Sequence, residues 1–136
     1  MWGWFTRITK VADQRRTLGA RGERAAVRHL RRNGYQILAR NLRTKLGEID
    51  VIARDRRDRC VVIVEVKTGR GDDPPPEAHV NHHKQRKITM LAKQLIKQHR
   101  LENQRVRFDV IAVVWREGDR QPRDLRHHEH AFEAVG

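Results

Sequence analysis

The chain has 136 residues, of which 30 are Lys or Arg and 17 are Asp or Glu, so its formal net charge is +13. This length predicts one domain with a modest core, and the excess of basic residues favours a polyanionic partner such as nucleic acid. Apolar runs are too short for a membrane span, and Cys60 is the only cysteine, so an integral membrane protein and an internal disulfide are excluded. We therefore expect a cytoplasmic protein with no membrane association.

The N-terminal region divides into an extension and the start of the domain. Residues 1–17 mix aromatic and basic side chains and predict a mobile extension. Docking of its aromatic residues on the domain, a partner or a lipid surface is the alternative. Residues 18–136 then form a single domain. Its first element is a helix over 18–33, where apolar residues recur at helical spacing before Gly34.

Three strands are predicted after this helix, over residues 35–41, 47–53 and 60–67. The third is rich in β-branched residues, which indicates a central position in the sheet. A short polar turn joins the second and third strands, so they should pair as an antiparallel hairpin.

The second half contains one more helix and at least one more strand. Residues 68–76 form a loop with three consecutive prolines, and Asn81 is a predicted N-cap for a helix from 82 to about 98. Residues 106–115 predict a strand, and 125–134 an edge strand or a tail. This order of elements predicts an α/β fold with a mixed sheet flanked by helices.

Charged residues interrupt two of the predicted strands. Side chains alternate along a strand, so Asp50 should share one face with Ile52, and Ile49 the other with Val51. Glu65 likewise shares a face with Lys67. If the two strands pair around their turn, Asp50 and Glu65 come together, with a bulge or a diagonal pairing allowed.

Such an acidic pair has a specific chemistry. Adjacent carboxylates repel unless a cation intervenes, and oxygen ligands select a hard ion such as Mg²⁺ or Mn²⁺. The ion could activate water and stabilise a phosphoryl oxygen, while Lys67 orients the water or stabilises negative charge. This arrangement suits phosphodiester hydrolysis. The alternative is a solvated Glu65–Lys67 ion pair of small energetic effect, and the spacing leaves both interpretations open.

Basic residues beyond this constellation are candidates for phosphate contacts. Lys84 and Lys87 lie one turn apart at the start of the second helix, and Arg43 and Lys45 extend the basic surface. The alternative for the helix is a solvated charged face.

Other titratable residues have simpler interpretations. Asp109 lies within an apolar strand, and a buried acid paired with a nearby Arg or backbone donor is favoured over a metal ligand. His127, His128 and His130 predict a solvated edge or incidental metal binding rather than an active site.

Several motifs in chain order resemble one bacterial family. They are Gly22-Glu23-x-x-Ala26, Asn41-x-Arg43, Gly47-Glu48-Ile49-Asp50 and Val64-Glu65-Val66-Lys67. Together they are similar to the YraN-type uncharacterised family, and the resemblance runs through residues 18–115. That family belongs to the restriction-endonuclease-like superfamily, whose signature is D…(D/E)-x-K. Archaeal Holliday-junction resolvases are relatives by fold and motif.

The resemblance implies a three-layer fold and a role for each matched residue. Asp50 and Glu65 match the metal ligands, Lys67 matches the catalytic lysine, and Glu23 matches a glutamate near the metal. The backbone carbonyl of Val66 is the usual additional ligand. The implied activity is that of a Mg²⁺- or Mn²⁺-dependent DNA endonuclease, with branched or damaged DNA as substrate. The alternative is a catalytically silent nucleic-acid-binding module with a nuclease fold.

The resemblance also bears on partners. Arg70 substitutes for a basic residue that the family often carries directly after the catalytic lysine, so we assign it to nucleic-acid binding. DNA is the expected partner, and RNA is not excluded. Related nucleases often cut both strands as dimers, which makes a homodimer an expectation to test.

Overall fold

A computed structural model describes residues 17–134. The elements in chain order are α1 (Leu18–Arg32), β1 (Tyr35–Thr44), β2 (Gly47–Asp55), β3 (Val61–Gly69), α2 (His82–Gln98), β4 (Val106–Val114) and β5 (Asp124–Phe132). A short 3₁₀ helix, Pro76–His79, precedes α2. The predicted extension lies outside the described residues except for Thr17. No helix among residues 17–134 is both long and apolar enough to span a bilayer.

The strands form one mixed sheet in the order β1-β2-β3-β4-β5. The pair β3–β4 is parallel and the other pairs are antiparallel. Parallel neighbours need a long crossover, and the segment with the 3₁₀ helix and α2 supplies it. This confirms the predicted α/β fold, and residues 124–132 form an edge strand rather than a tail.

The sheet separates two apolar cores, which gives the molecule its three layers. The α1-side core includes Ala26, Leu30, Val51, Val62 and Ile111. The α2-side core includes Leu42, Ile52, Ile63, Leu91 and Leu95. Each helix therefore buries its apolar stripe against its own face of the sheet.

Capping side chains determine where both helices begin. The Thr17 hydroxyl accepts a hydrogen bond from the Ala20 backbone N–H at 3.1 Å. The Asn81 side chain accepts one from the Lys84 backbone N–H at 3.0 Å, as the sequence predicted. The first helix ends just before Gly34, whose φ of +84° suits a residue without a Cβ.

Simple alternation is wrong for one part of β2. Ile49 packs in the α2-side core together with Ile52, whereas Val51 packs in the α1-side core. The strand must therefore rotate between Ile49 and Val51. On the neighbouring strand, Asn41 has a positive φ of 51° at this level. Strict alternation along the strand does not predict this local twist.

The twist carries the tip of the β1–β2 hairpin away from β3 and over α2. The β2–β3 register ends at the pair Val51–Val64. At the hairpin tip, Gly47 has a φ of +142°, and a Cβ there would lie 3.2 Å from the Leu91 side chain. The two central strands thus diverge at the level of the predicted acidic pair.

Candidate active site

Asp50 lies at the point where β2 and β3 diverge. Beyond the last register pair, its Oδ2 accepts a hydrogen bond from the Val66 backbone N–H at 2.8 Å. The side chain thus satisfies a β3 donor where β2 no longer pairs with that strand. This bond fixes the carboxylate against β3.

Glu65 is close enough to alter the protonation of Asp50. Burial raises the pKa of Asp50 well above its usual range, and the neighbouring Glu65 carboxylate raises it further. The hydrogen bond from Val66 opposes this rise. The structure therefore brings Asp50 and Glu65 together on the sheet, as the hairpin argument expected. A shared proton or a cation would relieve their repulsion.

Two ammonium groups approach one oxygen of Glu65. The Lys67 Nζ lies 3.6 Å from Glu65 Oε2, and the Lys84 Nζ lies 3.3 Å from the same atom. The Glu65 side chain is only 5% exposed, so this is not the solvated ion pair of the alternative interpretation. The sequence pattern predicted the place of Lys67. It assigned Lys84 to phosphate contact and missed its approach to Glu65.

Glu23 joins the site from α1. Its own pKa is raised by burial, and its negative charge contributes to the raised pKa of Asp50. Arg40 opposes the shift from 3.9 Å away, yet the buried Glu23 Oε1 has no hydrogen-bond partner among residues 17–134. Close packing of α1 on β3 holds Glu23 here, because a Cβ on Gly22 would lie 1.8 Å from Thr68 Oγ1.

The donor set suits a small hard cation. Within the described part of the chain, no group of three or more His, Cys, Asp or Glu side chains converges on a metal position. Asp50 and Glu65 would supply two side-chain donors to an ion that keeps several waters, as Mg²⁺ does. The raised pKa of Asp50 and the unsatisfied Oε1 of Glu23 are both features that a cation would relieve. The residues present fit Mg²⁺ or Mn²⁺.

The other residues predicted to bind nucleic acid lie apart from the acidic pair. Arg43 and Arg70 each have an acidic partner, at 3.1 Å and 3.9 Å respectively. Lys45 is exposed in the β1–β2 turn, and Lys87 is exposed on α2. Of the five basic residues in that prediction, only Lys84 contacts Glu65.

A separate buried network accounts for the acid in β4. Arg107 donates to Asp109 at 2.9 Å and to Asp55 at 3.1 Å, and His127 lies 2.7 Å from Asp109. Burial would raise the pKa of Asp109, but the hydrogen bonds from His127 and Arg107 outweigh it and lower that pKa. This confirms the paired-acid interpretation of Asp109. Sequence reasoning did not anticipate that His127 would be its partner.

Comparison with known proteins places these residues in a family context. The model described as "Uncharacterised protein family UPF0102" matches residues 22–113. A UPF0102 protein of Rhodopirellula baltica is 42% identical over 125 residues, which cover 91% of this chain and 75% of the relative. One from Syntrophotalea carbinolica is 43% identical over 124 residues, which cover 90% of this chain and 97% of the relative.

Proposed function

We propose that this protein, which belongs to the UPF0102 or YraN family, is a metal-dependent nuclease that hydrolyses phosphodiester bonds in DNA. The observation that carries the proposal is the meeting of Asp50 and Glu65 where β2 and β3 diverge, with an ammonium group beside Glu65. The net charge of +13 supports a polyanionic substrate. The cytoplasm, expected from the sequence, is the compartment in which it would act.

The protein's own groups have distinct roles in this proposal. Asp50 and Glu65 would hold Mg²⁺ or Mn²⁺, and the Val66 N–H keeps the Asp50 carboxylate in one orientation. The bound ion would stabilise charge on a phosphoryl oxygen and lower the pKa of a coordinated water. Lys67, through its Nζ, would donate a hydrogen bond to the water or to the phosphoryl oxygen. Glu23 adds negative charge that favours cation binding.

The test is a cleavage panel with linear, nicked, flap and four-way DNA, and with RNA, each with and without Mg²⁺. Asp50→Asn and Lys67→Ala should each lower the cleavage rate by at least about 100-fold, because both groups act in the chemical step. DNA affinity should change little. Glu102→Gln, a change at an exposed carboxylate in the α2–β4 connection, is the control. Unchanged cleavage by both site variants would remove the mechanism.

A second candidate function is nucleic-acid binding without turnover. It is favoured by the limited donor set, since no third acidic or imidazole ligand completes a metal cluster within residues 17–134. It predicts salt-sensitive binding and no Mg²⁺-dependent cleavage of any substrate in the panel. Sedimentation of the protein with and without DNA would test the expected homodimer in the same preparation.

A further inference from the structure

A second concave site opens beside the N-terminal half of α1, and the hydrolysis mechanism does not use it. Its volume is about 590 Å³, which is within the range of small-molecule binding sites. Four arginines and two apolar residues supply most of its lining. They are Arg21, Arg24, Arg70, Arg120, Leu18 and Trp115. We call this site the arginine pocket.

Positive charge in the arginine pocket exceeds the negative charge that faces it. Its acidic lining residues are Glu117 and Asp119. Asp119 is neutralised by Arg123, which lies outside the lining, at 3.0 Å. Glu117 is 87% exposed and reaches Arg70 only at 3.9 Å. The pocket is therefore suited to an anionic ligand.

Two of the arginines are available to such a ligand. No carboxylate of residues 17–134 lies within ion-pair distance of Arg21 or Arg120. Both can therefore donate hydrogen bonds to an incoming group without breaking an ion pair with a described residue. A planar guanidinium matches the geometry of phosphate oxygens, often with two parallel hydrogen bonds.

The wall of the arginine pocket is held in place before any ligand arrives. The Trp115 backbone N–H donates to the Gly69 carbonyl at 2.8 Å, which joins the chain after β4 to the end of β3. The Trp115 indole N–H donates to the Asp119 carbonyl at 2.8 Å and fixes the following turn. Such preorganisation lowers the entropic cost of binding.

The arginine pocket adjoins the candidate active site. Arg24 directly follows Glu23 on α1, and its positive charge acts on the Glu23 carboxyl group. Arg70 lies three residues beyond Lys67, just after the end of β3. A strand bound at the acidic pair would therefore pass close to the pocket.

We propose that the arginine pocket binds a nucleotide unit of the substrate strand through its phosphate, beside the phosphodiester held at the acidic pair. The role of the strand as substrate rests on the proposed nuclease function. The pocket is larger than a single phosphate requires, and Leu18 and Trp115 give it an apolar side for a sugar or base. Inorganic phosphate and free nucleotides share this chemistry, so the experiment separates them from a strand.

The test measures binding in the absence of chemistry. A fluorescent five-nucleotide single strand is titrated with full-length Asp50→Asn protein without divalent metal. In the same background, the double variant Arg21→Gln/Arg120→Gln should bind the strand at least about fivefold more weakly. The slope of log affinity against log salt concentration should fall in magnitude by about 1.4. The matched control is Arg28→Gln with Arg31→Gln, which removes the same charge from exposed positions of α1. It should weaken binding less than about twofold.

A spectroscopic readout locates the ligand. The Trp115 indole N–H resonance, assigned with Trp115→Phe, should shift when the oligonucleotide is added to the parent protein. The shift should require higher concentrations of a mononucleotide or of inorganic phosphate. An equal affinity for mononucleotide and strand would overturn the assignment to a strand.

The outcomes separate this inference from the proposed nuclease. Equal losses in the pocket and control variants would show a diffuse charge effect and overturn the pocket. A selective loss in the pocket variant, together with a negative cleavage panel, would support the arginine pocket and reject the nuclease. If the Arg21 and Arg120 substitutions do not change the cleavage rate and the Trp115 resonance does not shift, the nuclease proposal stands and the arginine pocket is rejected.

Discussion

Lys84 gives the acidic pair a second ammonium group that the sequence motif does not include. Its Nζ lies closer to Glu65 Oε2 than the Nζ of Lys67 does, at 3.3 Å against 3.6 Å. The Asn81 cap holds the first turn of α2, from which Lys84 projects. With its side chain 35% exposed, Lys84 can still contact a substrate. We infer that it acts in the chemical step and not only in strand binding.

Replacing Lys84 by Ala should therefore lower kcat roughly 10- to 100-fold and change KM less than about threefold, because in the proposed hydrolysis the lost charge would lie beside the reacting phosphate. Steady-state cleavage of the best substrate in the panel provides both constants. Lys97→Ala, in the last turn of α2, is the control. Lys87→Ala should raise KM with little effect on kcat. A raised KM with an unchanged kcat in the Lys84 variant would show that Lys84 binds phosphate and does not act in the chemical step.

The sequence predicted part of this residue-level arrangement. Asp50, Glu65 and Lys67 could be grouped because they lie on two adjacent strands joined by one short turn. Lys84 could not be grouped with them from the sequence, because its contact with Glu65 depends on how α2 crosses the sheet. Local pattern carries no information on that crossing.

At the scale of elements, α1 is positioned by a close approach to β3. A Cβ on Gly22 would lie 1.8 Å from Thr68 Oγ1 and within 3 Å of two further Thr68 side-chain atoms. Rotation of Thr68 cannot remove all of these clashes. Any side chain at position 22 must therefore push α1 from the sheet, and Glu23 would move with it.

Gly22→Ala should destabilise the protein by about 1–3 kcal/mol, the usual cost of overpacking, and should lower cleavage through displacement of Glu23. Urea unfolding provides the free energy. Gly19→Ala on the same helix is the matched control, because nothing lies within 4 Å of its Cβ position. That variant should stay within about 0.5 kcal/mol of the parent, because Gly19 lies in the first turn of α1 and away from packed atoms. Equal effects of the two substitutions would contradict the packing argument.

Elements whose ends are set by local chemistry were the most predictable. The Asn81 cap and the stop at Gly34 were predicted from local sequence, and the predicted helices, 18–33 and 82 to about 98, agree closely with α1 and α2. The edge strand β5 was ambiguous because few of its side chains enter an apolar core. Several enter polar contacts instead, such as His127 with Asp109 and His128 with Glu77. Polar partners do not leave a periodic hydrophobic signal.

At the scale of the whole molecule, the described acidic groups whose pKa is shifted divide into two sets with opposite effects of pH on stability. Hydrogen bonds from Arg126 lower the pKa of Glu77 to about 2, and those from Arg57 hold the pKa of Asp55 well below its usual range. The pKa of Asp109 is lowered as well. Each such group stabilises the fold above its unfolded pKa, and this stability is lost as pH falls through the folded pKa. Asp50 and Glu23, with raised pKa values, respond in the opposite sense.

The metal-free protein should therefore lose stability mainly between about pH 4.5, the ordinary pKa of Glu77, and about pH 2. Protonation of the remaining carboxylates also increases repulsion in a chain of net charge +13. Glu77→Gln should cost about 1–2 kcal/mol at pH 7 and almost nothing at pH 2, allowing for solvent screening of the partly exposed Arg126. Urea unfolding across this range measures the difference, with Glu102→Gln as the exposed control. A constant gap between Glu77→Gln and the parent at every pH would show that Glu77 stabilises the fold by packing rather than by charge.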